Sequence, residues 1–241
     1  MPRFFIDGTK PSPGDTVVLS EEDSRHIALS LRMKRGDAVT LCCGWTDFEC
    51  VVTDTAGAVT VEVVSSSPSA GEPPYRATVF QAEVKGDKFD TVVQKAVELG
   101  ASEIVPFVSS RCVSRPDPRD AEKKRKRRER IALEAAKQCG RGAVPSVCAA
   151  VTFDEAVALA AGSDLPLFCW EEATVPLRNV MKGAKPSSIT VVIGPEGGFS
   201  AEEARIAAEA GLTPVSLGRR ILRTETAAGA VLSALSYEYE I

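Results

Sequence analysis

Several charged residues lie on or beside two glycine-bearing turns near the end of the chain, and the types of three of them suit proton and anion chemistry. The first turn, Gly194-Pro195-Glu196-Gly197-Gly198, follows an unbroken apolar run from Ile189 to Ile193. The second carries Leu217-Gly218 and, shortly after, Ile221-Leu222-Arg223-Thr224-Glu225. An arginine placed there can stabilise a developing anion, and a carboxylate can accept a proton. Arg223 is the candidate for the first role. Glu225 or Glu196 is the candidate for the second, although either carboxylate serves equally well as a partner for backbone groups in its turn. Glycines allow backbone N–H and C=O groups to approach a ligand with no Cβ in the way. Gly194, Pro195, Glu196, Gly197, Gly198, Leu217, Gly218, Ile221, Leu222 and Thr224 therefore form the candidate binding set for one ligand held mainly by backbone.

The elements around these turns must position them. Ile189–Ile193 has the pattern of a strand buried on both faces of a parallel sheet. Ser200 with Glu203 three residues later predicts a capping box and a helix that stops at Gly211. A short strand over Pro214–Leu217 and a final apolar helix from Ala227 to about Tyr237 complete this end. Upstream, strands are predicted at Ala77–Val84, Ile104–Val108 and Leu165–Cys169. Asp87 is placed to cap a helix whose apolar positions Phe89, Val92, Val93, Ala96 and Val97 share one face, with Gly100 ending it. Pro116 to Pro118 lead into a long basic helix, about Asp120 to Gln138, and a shorter helix covers Phe153–Ala161. Alternating strands and helices imply a mostly parallel α/β sheet with helices on both faces, and such sheets bind ligands at the carboxyl ends of their strands. No G-x-G-x-x-G follows the first of these strands and no G-x-x-x-x-G-K-[ST] occurs, which argues against dinucleotide binding and triphosphate hydrolysis.

Residues 1–67 read differently, as short β-prone runs at Phe4–Ile6, Thr16–Leu19, Ala38–Cys42, Phe48–Val52 and Val59–Val64, with one helix near Glu21–Met33. Strands this short and close together suggest a small barrel. The polar stretch from Ser65 to Pro74 reads as linker. The division is thus a β-domain over 1–67, a linker over 68–75 and an α/β domain over 76–241.

The segments GPEGGFS and LGRRILRTETA resemble the signature of the SPOUT-class methyltransferases. More narrowly, the sequence is similar to the RsmE family, which methylates N3 of a uridine in 16S ribosomal RNA. His26-x-x-x-x-x-Arg32, Gln94-Lys95-x-x-Glu98-Leu99-Gly100 and Gln138-Cys139-Gly140-Arg141 also fit that pattern, so the resemblance spans the chain. It implies S-adenosylmethionine as methyl donor, a PUA-like RNA-binding barrel at the N-terminus, and a SPOUT α/β domain with a deep trefoil knot. It also implies a homodimer and 16S ribosomal RNA or the small ribosomal subunit as partner. Under it, Arg223 stabilises the uracil anion, while His26, Arg32, Gln138 and Arg141 face RNA. Close alternatives are another SPOUT enzyme acting on a ribose 2′-hydroxyl or a tRNA base, and a non-catalytic RNA-binding assembly factor. Glu72-Pro73-Pro74-Tyr75 resembles the tetrapeptide of methyltransferases acting on exocyclic amines, but no buried strand precedes it, so it is read as linker.

Charge distribution bears on the RNA reading. The net charge is −4, yet residues 111–142 hold twelve Lys or Arg against five Asp or Glu. A basic segment on an acidic chain suggests a localised footprint for a polyanion. Arg125, Arg127 and Arg128 are the phosphate-contacting candidates, with a merely solvated helix face as the alternative. The seven cysteines include no C-x-x-C pair and there is one histidine. No metal site is expected, and a reduced, cytoplasmic setting is. No apolar run has the roughly 20 residues of a membrane helix.

Overall fold

The computed structural model describes residues 1–114 and 117–241, so the predicted lead-in at Pro116 lies outside the described residues. The chain divides into two compact units, one of Met1–Glu72 with Ala136–Val144, the other of Pro73–Ala135 with Pro145–Ile241.

The first unit is built from β1 (Arg3–Phe5), β2 (Thr16–Val18), α1 (Glu21–Arg25), β3 (Ala38–Cys43), β4 (Thr46–Asp54) and β5 (Thr60–Pro68). Its sheet runs in the order β1-β3-β4-β5-β2, antiparallel except for the β1–β3 pair. Register shifts in the β4–β5 ladder at Glu49/Cys50 and Val52/Asp54 bend these strands, and the sheet curls into a half-barrel. Phe4, Ile27, Leu41, Phe48, Val52 and Val61 belong to its buried apolar core. Ser20 caps α1, with its hydroxyl accepting from the Asp23 N–H. The helix then widens into a π turn over His26–Leu31, closed by Arg32 in the left-handed region at φ 52°. π turns in helices recur at functional sites, and this one carries His26 and Arg32 at its two ends.

Two expectations fail here. Ser65–Pro68 are not linker, because they extend β5 and pair with Thr46–Glu49. A serine-rich stretch stays flexible only if its backbone lacks partners, and β4 supplies them. Glu72 is not a solvated linker residue either. Its carboxylate accepts from Arg141 Nε at 2.9 Å and Nη2 at 2.7 Å, and from the Gly142 and Ala143 N–H groups at 2.8 and 3.1 Å. Both side chains of the pair are buried, so Arg141 braces its own loop rather than facing RNA.

The second unit holds a sheet of β6 (Arg76–Ala82), β7 (Ala101–Val108), β8 (Ser146–Val147), β9 (Val151–Thr152), β10 (Leu165–Cys169), β11 (Ser188–Ile193) and β12 (Thr213–Val215). All its pairs are parallel, in the order β12-β10-β11-β6-β7-β8 with β9 also on β7. Helices α2 (Lys88–Glu98), α4 (Phe153–Ala160), α5 (Leu177–Met181), α6 (Ala201–Glu209) and α7 (Thr224–Tyr239) belong to it, as does α3 (Pro118–Cys139) up to Ala135. Asp87 stands at the start of α2 without a side-chain capping bond. Capping boxes do open α4 and α6, Thr152 with Glu155 and Ser200 with Glu203. No described helix is long and apolar enough to cross a membrane.

The last helix begins three residues earlier than its apolar pattern predicts, at Thr224, so Thr224 and Glu225 belong to its first turn. Thr224 does not act as the N-cap. Its hydroxyl is used elsewhere, as described below. Ala227, Val231 and Leu235 of α7 are buried where it packs on α2 and β11, leaving Ala230 and Tyr237 exposed.

Candidate active site

Three neighbouring strands, β11, β10 and β12, end at Ile193, Cys169 and Val215, and the segments that follow them enclose one cleft of about 530 Å³. Every member of the candidate binding set lines it: Gly194, Pro195, Glu196, Gly197, Gly198, Leu217, Gly218, Ile221, Leu222 and Thr224. Arg223, Glu225 and Lys88 line it as well.

The first loop owes its course to close packing. Phe199 is buried, 4.3 Å from Phe168 between ring centroids and stacked parallel on Phe107. A Cβ at Gly194 would lie 3.0 Å from the Phe199 ring. At Gly198 φ is +65°, and a Cβ would collide with Glu171 Oε1. A side chain at Gly198 would therefore meet both backbone strain and a carboxylate. Arg111 holds the loop from outside, its Nη1 donating to the carbonyls of Gly197 at 3.2 Å and Phe199 at 3.1 Å.

A single hydroxyl joins the two loops. Thr224 Oγ1 donates to the Gly194 carbonyl at 2.6 Å and accepts from Gln81 Nε2 at 2.9 Å. Gln81 lies on β6 and is fully buried. Thr224 thus fixes the start of α7 to the end of β11, which places Arg223 and Glu225 on the cleft wall.

The three candidates for chemistry differ in how far they are committed. Glu196 accepts from Lys88 Nζ at 3.1 Å and from the Lys85 N–H at 3.3 Å. Partial burial opposes its ionisation, but its own backbone N–H, Lys88 and Lys85 outweigh that and hold its carboxyl below the usual carboxylate range. It is a weak proton acceptor with its oxygens already engaged. Glu225 Oε2 is buried and has no hydrogen-bond partner among the described residues. Arg223 is exposed and makes no ion pair among them.

Sequence reasoning missed the third wall of the cleft. Cys169, Trp170 and Glu171 line it at the end of β10, where no glycine-rich turn signals a ligand. The Trp170 indole N–H is buried without a partner among the described residues. Burial pushes the Cys169 thiol up to about 12, so it stays protonated and is no nucleophile.

The RNA-side candidates differ in their surroundings. His26, Arg32 and Gln138 are exposed, His26 edge-on to Phe4 at 6.2 Å. Arg128 is not available to phosphate. Its guanidinium makes a two-pronged pair with buried Glu83 at 2.7 and 2.9 Å and lies 3.6 Å over the Phe89 ring. Arg125 is engaged by Glu122 and Glu129 of its own helix, and Arg127 by Asp87 and Asp90. The helical period could have found the buried position, since Arg128, Ala132, Ala135 and Ala136 share one buried face.

Comparison with known proteins fits this geometry. Residues 71–236 match the RNA methyltransferase domain family. Across its whole length the chain is 34% identical to ribosomal RNA small subunit methyltransferase E of Bacillus subtilis, covering 98% of that protein. It is 35% identical to the enzyme of the same name from Mesomycoplasma hyopneumoniae over 95% of this chain and 96% of that one. Among solved structures, that enzyme from Neisseria gonorrhoeae, bound to S-adenosyl methionine, superposes with a TM-score of 0.85 at 31% identity over 99% of this chain and 98% of that one. A chain that aligns end to end with these proteins in both sequence and fold belongs to the ribosomal RNA small subunit methyltransferase E family.

Proposed function

We propose that this protein transfers a methyl group from S-adenosylmethionine to N3 of a uridine in small-subunit ribosomal RNA. The observation that carries this reading is one cleft in which Arg223, without an ion pair among the described residues, and Glu225 Oε2, without a hydrogen-bond partner among them, stand beside two glycine loops. S-adenosylmethionine suits the cleft. Its carboxylate and adenine nitrogens can accept from the unpartnered Trp170 N–H and from loop N–H groups. Its ammonium and adenine amine can donate to loop carbonyls. The backbones of Gly194–Gly198, Leu217, Gly218 and Leu222 would hold it. When bound, it supplies an electrophilic methyl group.

The chain's own residues must deal with the proton. Uracil N3 is a weak imide acid, mostly protonated at neutral pH, so its lone pair is unavailable until the proton leaves. Glu225 is the proton acceptor in this reading, in preference to Glu196, because the bonds from Lys88 and the Lys85 N–H make the Glu196 carboxylate a weaker base. Arg223 stabilises the anion that develops over O2 and O4 of the base. Thr224 keeps both on the cleft wall through its bonds to Gly194 and Gln81.

The homodimer and the C-terminal trefoil knot implied by the resemblance belong to the same reading. The apolar stripe of α7 contributes little to the dimer, since Ala227, Val231 and Leu235 are spent inside the unit. Sedimentation at micromolar concentration checks it, and a fully active monomer removes it.

The deciding experiment uses small subunits from cells lacking the protein, labelled with S-adenosylmethionine carrying a radioactive methyl group. Nucleoside analysis should return 3-methyluridine at one position. Label in a ribose or a purine would replace the N3 assignment, and no label at all would remove the activity.

A further inference from the structure

The segment just before Arg223 carries an anomaly that donor binding leaves unexplained. Ile221 is 88% exposed, although it belongs to the cleft lining, and it stands in a row of arginines. Arg219 and Arg220 precede it and Arg223 follows two residues on. All three arginines are exposed, all line the cleft, and none makes an ion pair among the described residues. The Ile221 backbone can serve the donor cleft, but a side chain so exposed contributes little there. What sets Ile221 apart from other exposed apolar side chains, such as Leu29 and Val113, is its place at the lip of the cleft among arginines. Three uncompensated guanidinium groups beside it call for a polyanion rather than another apolar surface.

We propose that Ile221 is a wedge for the RNA strand: it enters the base stack where the target uridine leaves, while Arg219 and Arg220 hold the flanking phosphates. The proposal rests on the reading of the protein as an RNA methyltransferase and extends it to how the base reaches the cleft. A base must leave its stack before N3 can enter a pocket, and the gap it leaves must be filled for the extruded state to persist. Apolar wedges accompanied by basic side chains enter and part base stacks in other nucleic-acid-binding proteins. Ile221 sits two residues from Arg223, so a strand held by Arg219 and Arg220 presents its extruded base to the wall where Arg223 and Glu225 stand. The step is mechanical; no covalent bond forms at Ile221.

The test uses full-length protein and small subunits from cells lacking it. Ile221→Ala should lower the single-turnover methylation rate at saturating subunit by roughly 10-fold or more. Its affinity for S-adenosylmethionine, measured by calorimetry, should stay within about 2-fold of wild type, which also shows that the variant is folded. Ile221→Met, still large and apolar, should restore most of the rate, whereas Ile221→Ser should not. Arg219→Gln with Arg220→Gln should weaken subunit binding and flatten its salt dependence by roughly 0.7 in log–log slope for each phosphate that is no longer neutralised. An unchanged rate for Ile221→Ala overturns the wedge. Weakened donor binding in that variant overturns it too, by assigning the side chain to the donor pocket. A shift to a slower-sedimenting species on Ile221→Ala would mean that a second copy of the chain covers the residue, again overturning it. Failure of wild-type protein to methylate the subunits would instead remove the underlying activity, an outcome separate from all of these.

Discussion

Two arginine-rich stretches of this molecule look alike in sequence and behave differently in structure. In α3, Arg125, Arg127 and Arg128 are each matched by carboxylates, with Arg128 sealed against Glu83 and Phe89. In the turn before α7, Arg219, Arg220 and Arg223 are matched by none among the described residues. The lesson is that a count of basic residues does not locate the charge a polyanion can use. Pairing locates it. The three helix arginines answer mainly to the fold, and the three loop arginines are free to answer to a ligand.

The sharpest separation comes from removing one of the helix arginines. Arg128→Ala leaves Glu83 buried and unpaired, and should cost about 3–5 kcal/mol of stability. Denaturant unfolding measures that loss, while the salt dependence of RNA binding by the folded fraction should not change. If Arg128→Ala proves as stable as wild type, the contrast between the two stretches collapses from the helix side.

Nearly as large, and felt in rate rather than stability, is the expected effect of Arg223→Ala. Losing one preorganised anion partner typically costs roughly 10²–10³ in rate. The single-turnover rate should fall by that order while both ligands still bind. Raising pH should partly restore it, because solvent then takes the imide proton that Arg223 helped release. Arg223→Lys should rescue poorly, having lost the planar fork that holds a carbonyl oxygen. Full recovery of Arg223→Ala at saturating donor would reassign the arginine to donor binding.

How much of this contrast could be read beforehand depends on the range of the interactions involved. The glycine loops, the Ser200–Glu203 capping box and the β11 strand were legible because each is decided within a few residues. The Glu72–Arg141 pair was not, since it joins groups far apart in sequence and one of them sat in a stretch whose composition imitates linker. Trp170 and Glu171 were invisible for another reason: the end of β10 carries no turn chemistry, so only its place beside β11 brings it to the cleft. The early start of α7 was hidden because Thr224 spends its hydroxyl on Gly194 and not on its own helix.

Smaller effects refine the comparison. Replacing Arg125 and Arg127 together by Gln should leave the salt slope of RNA binding nearly unchanged, since these side chains already have carboxylate partners. A flattening by roughly 0.7–0.9 per residue would return them to the phosphate-contacting set. The smallest effect concerns Glu196 and Lys88. Because the folded-state pKa of Glu196 is depressed, the pair contributes stability above the ordinary carboxylate range and loses it as pH falls through the folded value. For so exposed a pair the contribution is at most about 0.5 kcal/mol. The difference in thermal midpoint between wild type and Glu196→Gln should therefore be slight at neutral pH and vanish in acid.

Strand order in the second unit has a consequence for how the protein assembles. β10 lies between β11 and β12, and β11 pairs with β6 across most of the unit's length. Pairings so distant along the chain form slowly, because a long loop must close before any of them is rewarded. The cleft is built from the segments that follow β10, β11 and β12 together with Lys88 and the first turn of α7, so it is complete only when all of these have come together. A ligand seated there recognises the finished sheet alone. At a hundred times its dissociation constant it would add about 2.7 kcal/mol to stability. Nearly all of that gain would appear as slower unfolding, with the folding rate untouched.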